Sequence, residues 1–133
     1  MWRKLKGLGV AQVLDGLATL PLSARNREQL EWLAEEVVEA GGEASIWIAQ
    51  SATAAQERLL VGQMTKAVGD EYRSVADAAE DAAAGESEGR RRALGRLRRQ
   101  MHRIRQRDYF PPPERKAATE AIERLAQVAE VRP

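Results

Sequence analysis

At 133 residues, with 44% apolar and 31% charged side chains, the chain has the make-up of a folded domain with room for a real core rather than of a disordered segment. It holds no cysteine and a single histidine, which excludes disulfides, thiolate metal sites, a cysteine nucleophile and multi-histidine metal centres. The net charge of +1 conceals an asymmetry: residues 1–89 carry 8 basic and 15 acidic side chains, net −7, whereas residues 90–133 carry 13 and 5, net +8. That layout predicts either a polyanion-binding face or two halves that neutralise each other.

Taken in chain order, Met1–Lys6 reads as the tail of a helix closed by Gly7 and Gly9. No apolar run follows this basic start, so it does not read as a signal peptide, and no stretch approaches the roughly 20 apolar residues of a membrane span. The expected location is the cytoplasm. Ala11–Leu14 and Leu17–Pro21 flank the turn dipeptide Asp15-Gly16 and predict a hairpin or one bent strand. Ser23 is placed to cap a helix from Arg25 to Ala40, whose Leu30, Leu33, Val37 and Val38 recur at helical spacing before Gly41-Gly42. Glu43–Ala49 is short and β-branched, which predicts a buried strand. Trp32 and Trp47 are expected in the core.

Beyond Gln50 the pattern is helical throughout. Over residues 52–84, Leu59, Leu60, Met64, Val68, Tyr72, Val75 and Ala79 follow a 3–4 residue rhythm, with Gly69 as a potential break. Gly85–Gly89 predicts a flexible turn. Arg90–Arg107 predicts a helix with Leu94, Leu97, Met101 and Ile104 on one stripe, stopped by Pro111-Pro112-Pro113. A last helix starts at Pro113 or Glu114 and turns Ala118, Ala121, Ile122, Leu125 and Val128 inward. The expected organisation is a small α/β part, residues 1–50, and a helical part, residues 51–133, in one compact domain.

Residues 90–107 hold nine arginines, one histidine and no acid. At 100° per residue, Arg91, Arg98 and Arg105 flank the apolar stripe, whereas Arg92, Arg96, Arg99 and Arg103 point away from it. A hairpin with the acidic segment 70–84 (Asp70, Glu71, Asp77, Glu80 and Asp81) would give the flanking set its carboxylates. The outward set has no evident counterion, and arginine suits bidentate phosphate contact. The alternative reading of such a run is a solvated face. His102 is expected as partly exposed filler at the stripe's edge, and Tyr109-Phe110 as an anchor for the proline turn. Glu35, Glu36 and Glu39 read as solubilising. No catalytic constellation, phosphate-cradling loop or cofactor motif is present, so an enzyme is not expected.

The stretches WRKLKGLGVAQVLDGLATLP and EWLAEEVVEAGGEASIWIA, followed by GDEYRSVADAAEDA and RLRRQMHRIRQRDYFPPPERKAATEAIERL, together resemble the N-terminal domain of the chromate-resistance regulators of the ChrB type. The resemblance covers essentially the whole chain. It implies a regulatory, DNA-binding role in the control of a chromate efflux transporter, and its first half is similar to the ferredoxin-like domain of phenylacetate-type repressors and small CRISPR-associated endonucleases. The implied fold is therefore α+β and predominantly helical, a truncated ferredoxin-like piece followed by a bundle of long helices. Family members carry an apolar strand ahead of W-x-x-L-K and, in their longer form, a C-terminal domain. The chain starts inside the helix, which predicts an exposed sheet edge that a dimer would cover, gives nuclease activity no support and leaves DNA binding the safer inference than chromate sensing. Expected contacts are Arg92, Arg96, Arg99 and Arg103, helped by Arg3, Lys4 and Lys6. The expected partner is DNA, with an acidic protein, a second copy of the chain, or chromate and other oxyanions as the alternatives, and without a cofactor or a membrane.

Overall fold

The computed structural model describes residues 1–130. In chain order they form α1 (Trp2–Leu8), β1 (Ala11–Leu14), β2 (Leu17–Thr19), α2 (Ala24–Glu39), α3 (Ala54–Ala83), α4 (Ser87–Gln106) and α5 (Glu114–Glu130). The fold is α+β and predominantly helical. The described residues fall into two compact units, 1–63 and 64–130.

In the first unit, α1 ends on Gly9, whose φ of 85° is the left-handed conformation that a residue without a Cβ adopts at no steric cost. Gly16 (φ 82°) closes the turn between β1 and β2, which pair antiparallel with Ala11 opposite Thr19 and a bulge between Gln12 and Leu14. Ser23 caps α2 by accepting a hydrogen bond from the Asn26 backbone N–H at 3.0 Å. Asn26 is itself buried and donates through Nδ2 to the Pro21 carbonyl at 2.9 Å, tying the cap to the segment that precedes it. Glu43–Ala49 does not form the expected strand: residues 42–51 have no regular structure and make no ladder. Ile46, Trp47 and Ile48 lie in the open, so local β-branching had no neighbouring edge to pair with. Trp32 and Trp47 are not core residues either, at 58% and 82% exposed. On α2 the half-buried line is Leu30, Leu33 and Val37, and Trp32 sits on the opposite side of the helix.

The second unit is built on three apolar stripes. Val68, Tyr72, Val75 and Ala79 of α3 meet Ala93, Leu94, Leu97, Met101 and Ile104 of α4 and Ala118, Ala121, Ile122, Leu125 and Ala129 of α5 in one continuous core. Helix α3 runs through Gly69 without a break. The glycine admits a close neighbour instead, since a Cβ there would stand 3.1 Å from the Glu114 carboxylate at the start of α5. Helix α4 begins one turn earlier than its arginine run. Ser87, Glu88 and Gly89 extend it toward the N-terminus, and the expected flexible turn contracts to Ala84–Glu86. The triple proline ends α4's continuation, and Pro112 is buried in the connection to α5.

Candidate functional site

The outward arginines of α4 are placed by the burial of its opposite face. With Leu94, Leu97, Met101 and Ile104 fixed in the core, the helical repeat sends Arg92, Arg96, Arg99 and Arg103 to solvent, and all four are exposed. Over the 11 residue steps from Arg92 to Arg103 the row extends about 16 Å along the helix axis. Arg96, Arg99 and Arg103 have no ion-pair partner among the described residues. Arg92 differs: its guanidinium lies 2.7 Å from Glu88 one turn earlier. The expectation that the whole row lacks a counterion therefore fails at its first member, because the helix starts early enough to bring in an acid at i−4. Both side chains are largely in water, where such a pair contributes little and exchanges readily.

The flanking set does not pair as expected. Arg91, Arg98 and Arg105 form no ion pair with residues 70–84 among the described residues. Helix α4 lies closest along α5, and Arg91 and Arg98 line a shallow depression with Leu94, Gly95, Ala129 and Glu130 at the far end of that helix. The ion pairs to α3 come from elsewhere. Arg107, just past α4, grips Glu71 with two guanidinium nitrogens, Nε at 3.1 Å, and this pair is mostly shielded on the arginine side. Arg124 of α5 reaches Glu80 at 3.6 Å, and Arg73 reaches Glu114 at 3.2 Å.

Beneath the turn after α4 lies a buried polar contact that sequence reasoning missed. The Tyr72 hydroxyl donates to Asp108 Oδ2 at 2.7 Å, and Arg115 approaches the same oxygen at 3.5 Å. The Asp108 side chain is fully buried, and its Oδ1 has no hydrogen-bond partner. Burial first, and the adjacent Asp108 carboxylate second, hold the Tyr72 hydroxyl well above its ordinary pKa. Nothing in the spacing of two residues 36 positions apart signals this contact. It ties the turn that follows α4 to α3 and α5.

His102 is exposed on the edge of α4 beside Arg98, and its Nε2 lies 3.2 Å from the Gln106 side-chain amide nitrogen. Arg3, Lys4 and Lys6 belong to α1 in the first unit. Lys4 is engaged by Glu36 of α2 at 2.6 Å, Lys6 stands over the Trp2 ring at 5.7 Å, and Arg3 is exposed. Among the described residues no group of three or more histidines and carboxylates is arranged to hold a metal ion, and no helix is long and apolar enough to cross a membrane.

A family model described as "Protein ChrB, N-terminal" matches residues 1–131. The chain belongs to the ChrB N-terminal family. It is thus a protein related to chromate resistance, and the arginine-rich helix and its proline stop lie within the matched part of this domain. No curated protein and no solved structure matches the chain.

Proposed function

We propose that this ChrB-type domain is a regulatory DNA-binding module, not an enzyme, and that it grips the phosphate backbone through Arg96, Arg99 and Arg103, with Arg92 joining once Glu88 releases it. The observation that carries this reading is the exposed run of Arg96, Arg99 and Arg103 on α4, whose guanidiniums have no ion-pair partner among the described residues. Three or four like charges along about 16 Å repel one another. A duplex, with one phosphate charge per roughly 1.7 Å of axis, relieves that repulsion and releases its own counterions in exchange. Arg3, Lys4 and Lys6 are secondary contacts in this reading, Lys4 only at the expense of its pair with Glu36.

Direct oxyanion binding is the weaker reading. The depression lined by Arg91 and Arg98 also carries Glu130, whose carboxylate opposes a dianion there. An interaction with an acidic protein or with a second copy of the chain would use the same row. Apolar surface on the first unit, Trp32 and Trp47 above all, favours a protein contact as the second reading.

The salt dependence of duplex binding tests the proposal. Three or four phosphate contacts predict that affinity falls about 40- to 150-fold between 50 and 200 mM salt. An affinity that does not change over this range, or no binding at 50 mM, contradicts it. A shift in oligomeric state on charge reversal of the row, without any DNA retention, favours the protein contact.

A further inference from the structure

We propose that Gln106 reads an adenine in the major groove and that His102 positions it, so that the α4 surface discriminates sequence as well as charge. The inference rests on the phosphate-binding reading above and adds a base contact to it.

The first observation is where α4 is free of acid. Glu88 pairs with Arg92 at the helix start, so the uncompensated part of the outer face runs from Arg96 to Gln106. On that part, the exposed side chains other than arginine are Gln106 and, toward the edge beside Arg98, His102. Gln106 lies seven residues, about two turns, beyond Arg99 and so on nearly the same line of the helix. Arg99 and Arg103 stand beside the pair. Phosphate-binding groups flanking neutral hydrogen-bonding groups is the arrangement in which backbone contacts set register and the groups between them meet base edges. A helix about 10–12 Å across fits a major groove about 12 Å wide.

The second observation is the 3.2 Å contact between Gln106 Nε2 and His102 Nε2. With the imidazole Nε2 as acceptor, the glutamine amide donates one of its two hydrogens to it. The adenine pairing requires this to be the hydrogen directed away from the amide oxygen. Oε1 and the remaining hydrogen, on the same edge of the amide, stay free and side by side. That edge accepts from adenine N6–H and donates to adenine N7, the bidentate glutamine–adenine pairing. An unheld glutamine on a solvent-exposed helix end samples several rotamers and loses that freedom on binding. The i, i+4 neighbour reduces the loss by holding the amide plane beforehand.

The test is selection of the full chain against duplexes with a randomised 16-bp centre at about 50 mM salt, followed by affinity measurement on the enriched sequence. The wild-type chain is expected to enrich a motif with an adenine at one position. Replacing that base with 7-deazaadenine, which removes the N7 acceptor, is expected to weaken binding about tenfold. Gln106→Ala is expected to lose the preference at that one position while keeping the salt dependence of the wild type. His102→Ala is expected to blunt the same preference and no other, an effect a purely structural surface contact would not produce. Binding to the pool with no enriched sequence, or the same adenine preference in Gln106→Ala, overturns the base contact and leaves the phosphate reading standing. No binding to the pool overturns both.

Discussion

Residues 64–130 bury a continuous set of side chains from three helices, with Tyr72, Leu97, Ile104 and Leu125 almost wholly out of water. Among the described residues of 1–63, the buried side chains are Ala11 and Asn26, while Trp32, Trp47, Ile48, Leu22 and Leu59 are largely exposed. Both stretches are rich in apolar residues. What differs is whether the apolar positions share a period with a partner. On α3, α4 and α5 the 3–4 rhythm runs for several turns and each stripe has two others to meet. On α2 the apolar residues divide between opposite faces, and the Ile46–Ile48 run has no strand beside it. A side chain is buried by what lies opposite it, not by its own hydropathy.

This contrast is open to direct attack. Leu97→Ala or Leu125→Ala should lower unfolding free energy by about 2–5 kcal/mol, because each leaves a cavity in a filled core. Trp47→Ala should change it by no more than about 0.5 kcal/mol despite removing a larger group. Urea denaturation followed by circular dichroism compares the two, and equal costs would erase the distinction between the units.

A smaller effect is expected at the buried polar contact. Tyr72→Phe removes the shorter of the two hydrogen bonds to Asp108 Oδ2 and should cost about 1–3 kcal/mol, since only the longer contact from Arg115 then remains to a buried carboxylate whose Oδ1 is already unpaired. The contact also carries a pH signature. The folded state holds the Tyr72 proton more tightly than the unfolded state, so this contribution is complete below the ordinary tyrosine value of about 10 and is lost as pH rises beyond it. Denaturation midpoints between pH 9 and 11 should therefore fall more steeply for the wild type than for Tyr72→Phe. Parallel curves would contradict the assignment.

The ion pairs come lowest. Arg107→Ala should cost about 1 kcal/mol or slightly more, because Arg107 is partly shielded and holds Glu71 through two nitrogens. Glu88→Gln should leave stability within about 0.5 kcal/mol, the pair being exposed. The same substitution frees Arg92 and should tighten duplex binding at low salt, a gain readable by fluorescence anisotropy. Unchanged or weaker binding would mean that Arg92 makes no contact with the duplex.

The helical half was legible in the sequence because its signals are long. The Leu94–Leu97–Met101–Ile104 stripe, Ala118, Ala121, Ile122 and Leu125 of α5 and the proline stop read correctly from period and breaker residues, whereas at the end of α5 Ala129 is buried and Val128 only partly so. Ser23 as the cap of α2 and the Asp15-Gly16 turn were legible for the same local reason. What failed depended on which element lies next to which. The flanking arginines were assigned to α3 because it precedes α4 in the chain, whereas α4 lies closest along α5. The strand at 43–49 was inferred from composition, and a strand exists only with a paired edge. The Glu88–Arg92 pair was hidden by one helical turn at α4's start, and Tyr72–Asp108 by 36 intervening residues. Of the site itself, the outward direction of Arg92, Arg96, Arg99 and Arg103 was legible, and the His102–Gln106 contact was not.

The proposed polyanion-binding surface is the outer row of Arg96, Arg99 and Arg103 on α4. Titrating a labelled 20-bp duplex with the wild-type chain and with the Arg96→Glu/Arg99→Glu/Arg103→Glu variant at about 50 mM salt measures it most directly. All three positions are exposed, so the variant's denaturation midpoint should stay close to the wild type's. The wild type is expected to bind and the variant to lose at least a hundredfold in affinity. Equal affinities for the two proteins, with the variant folded, would contradict the proposal.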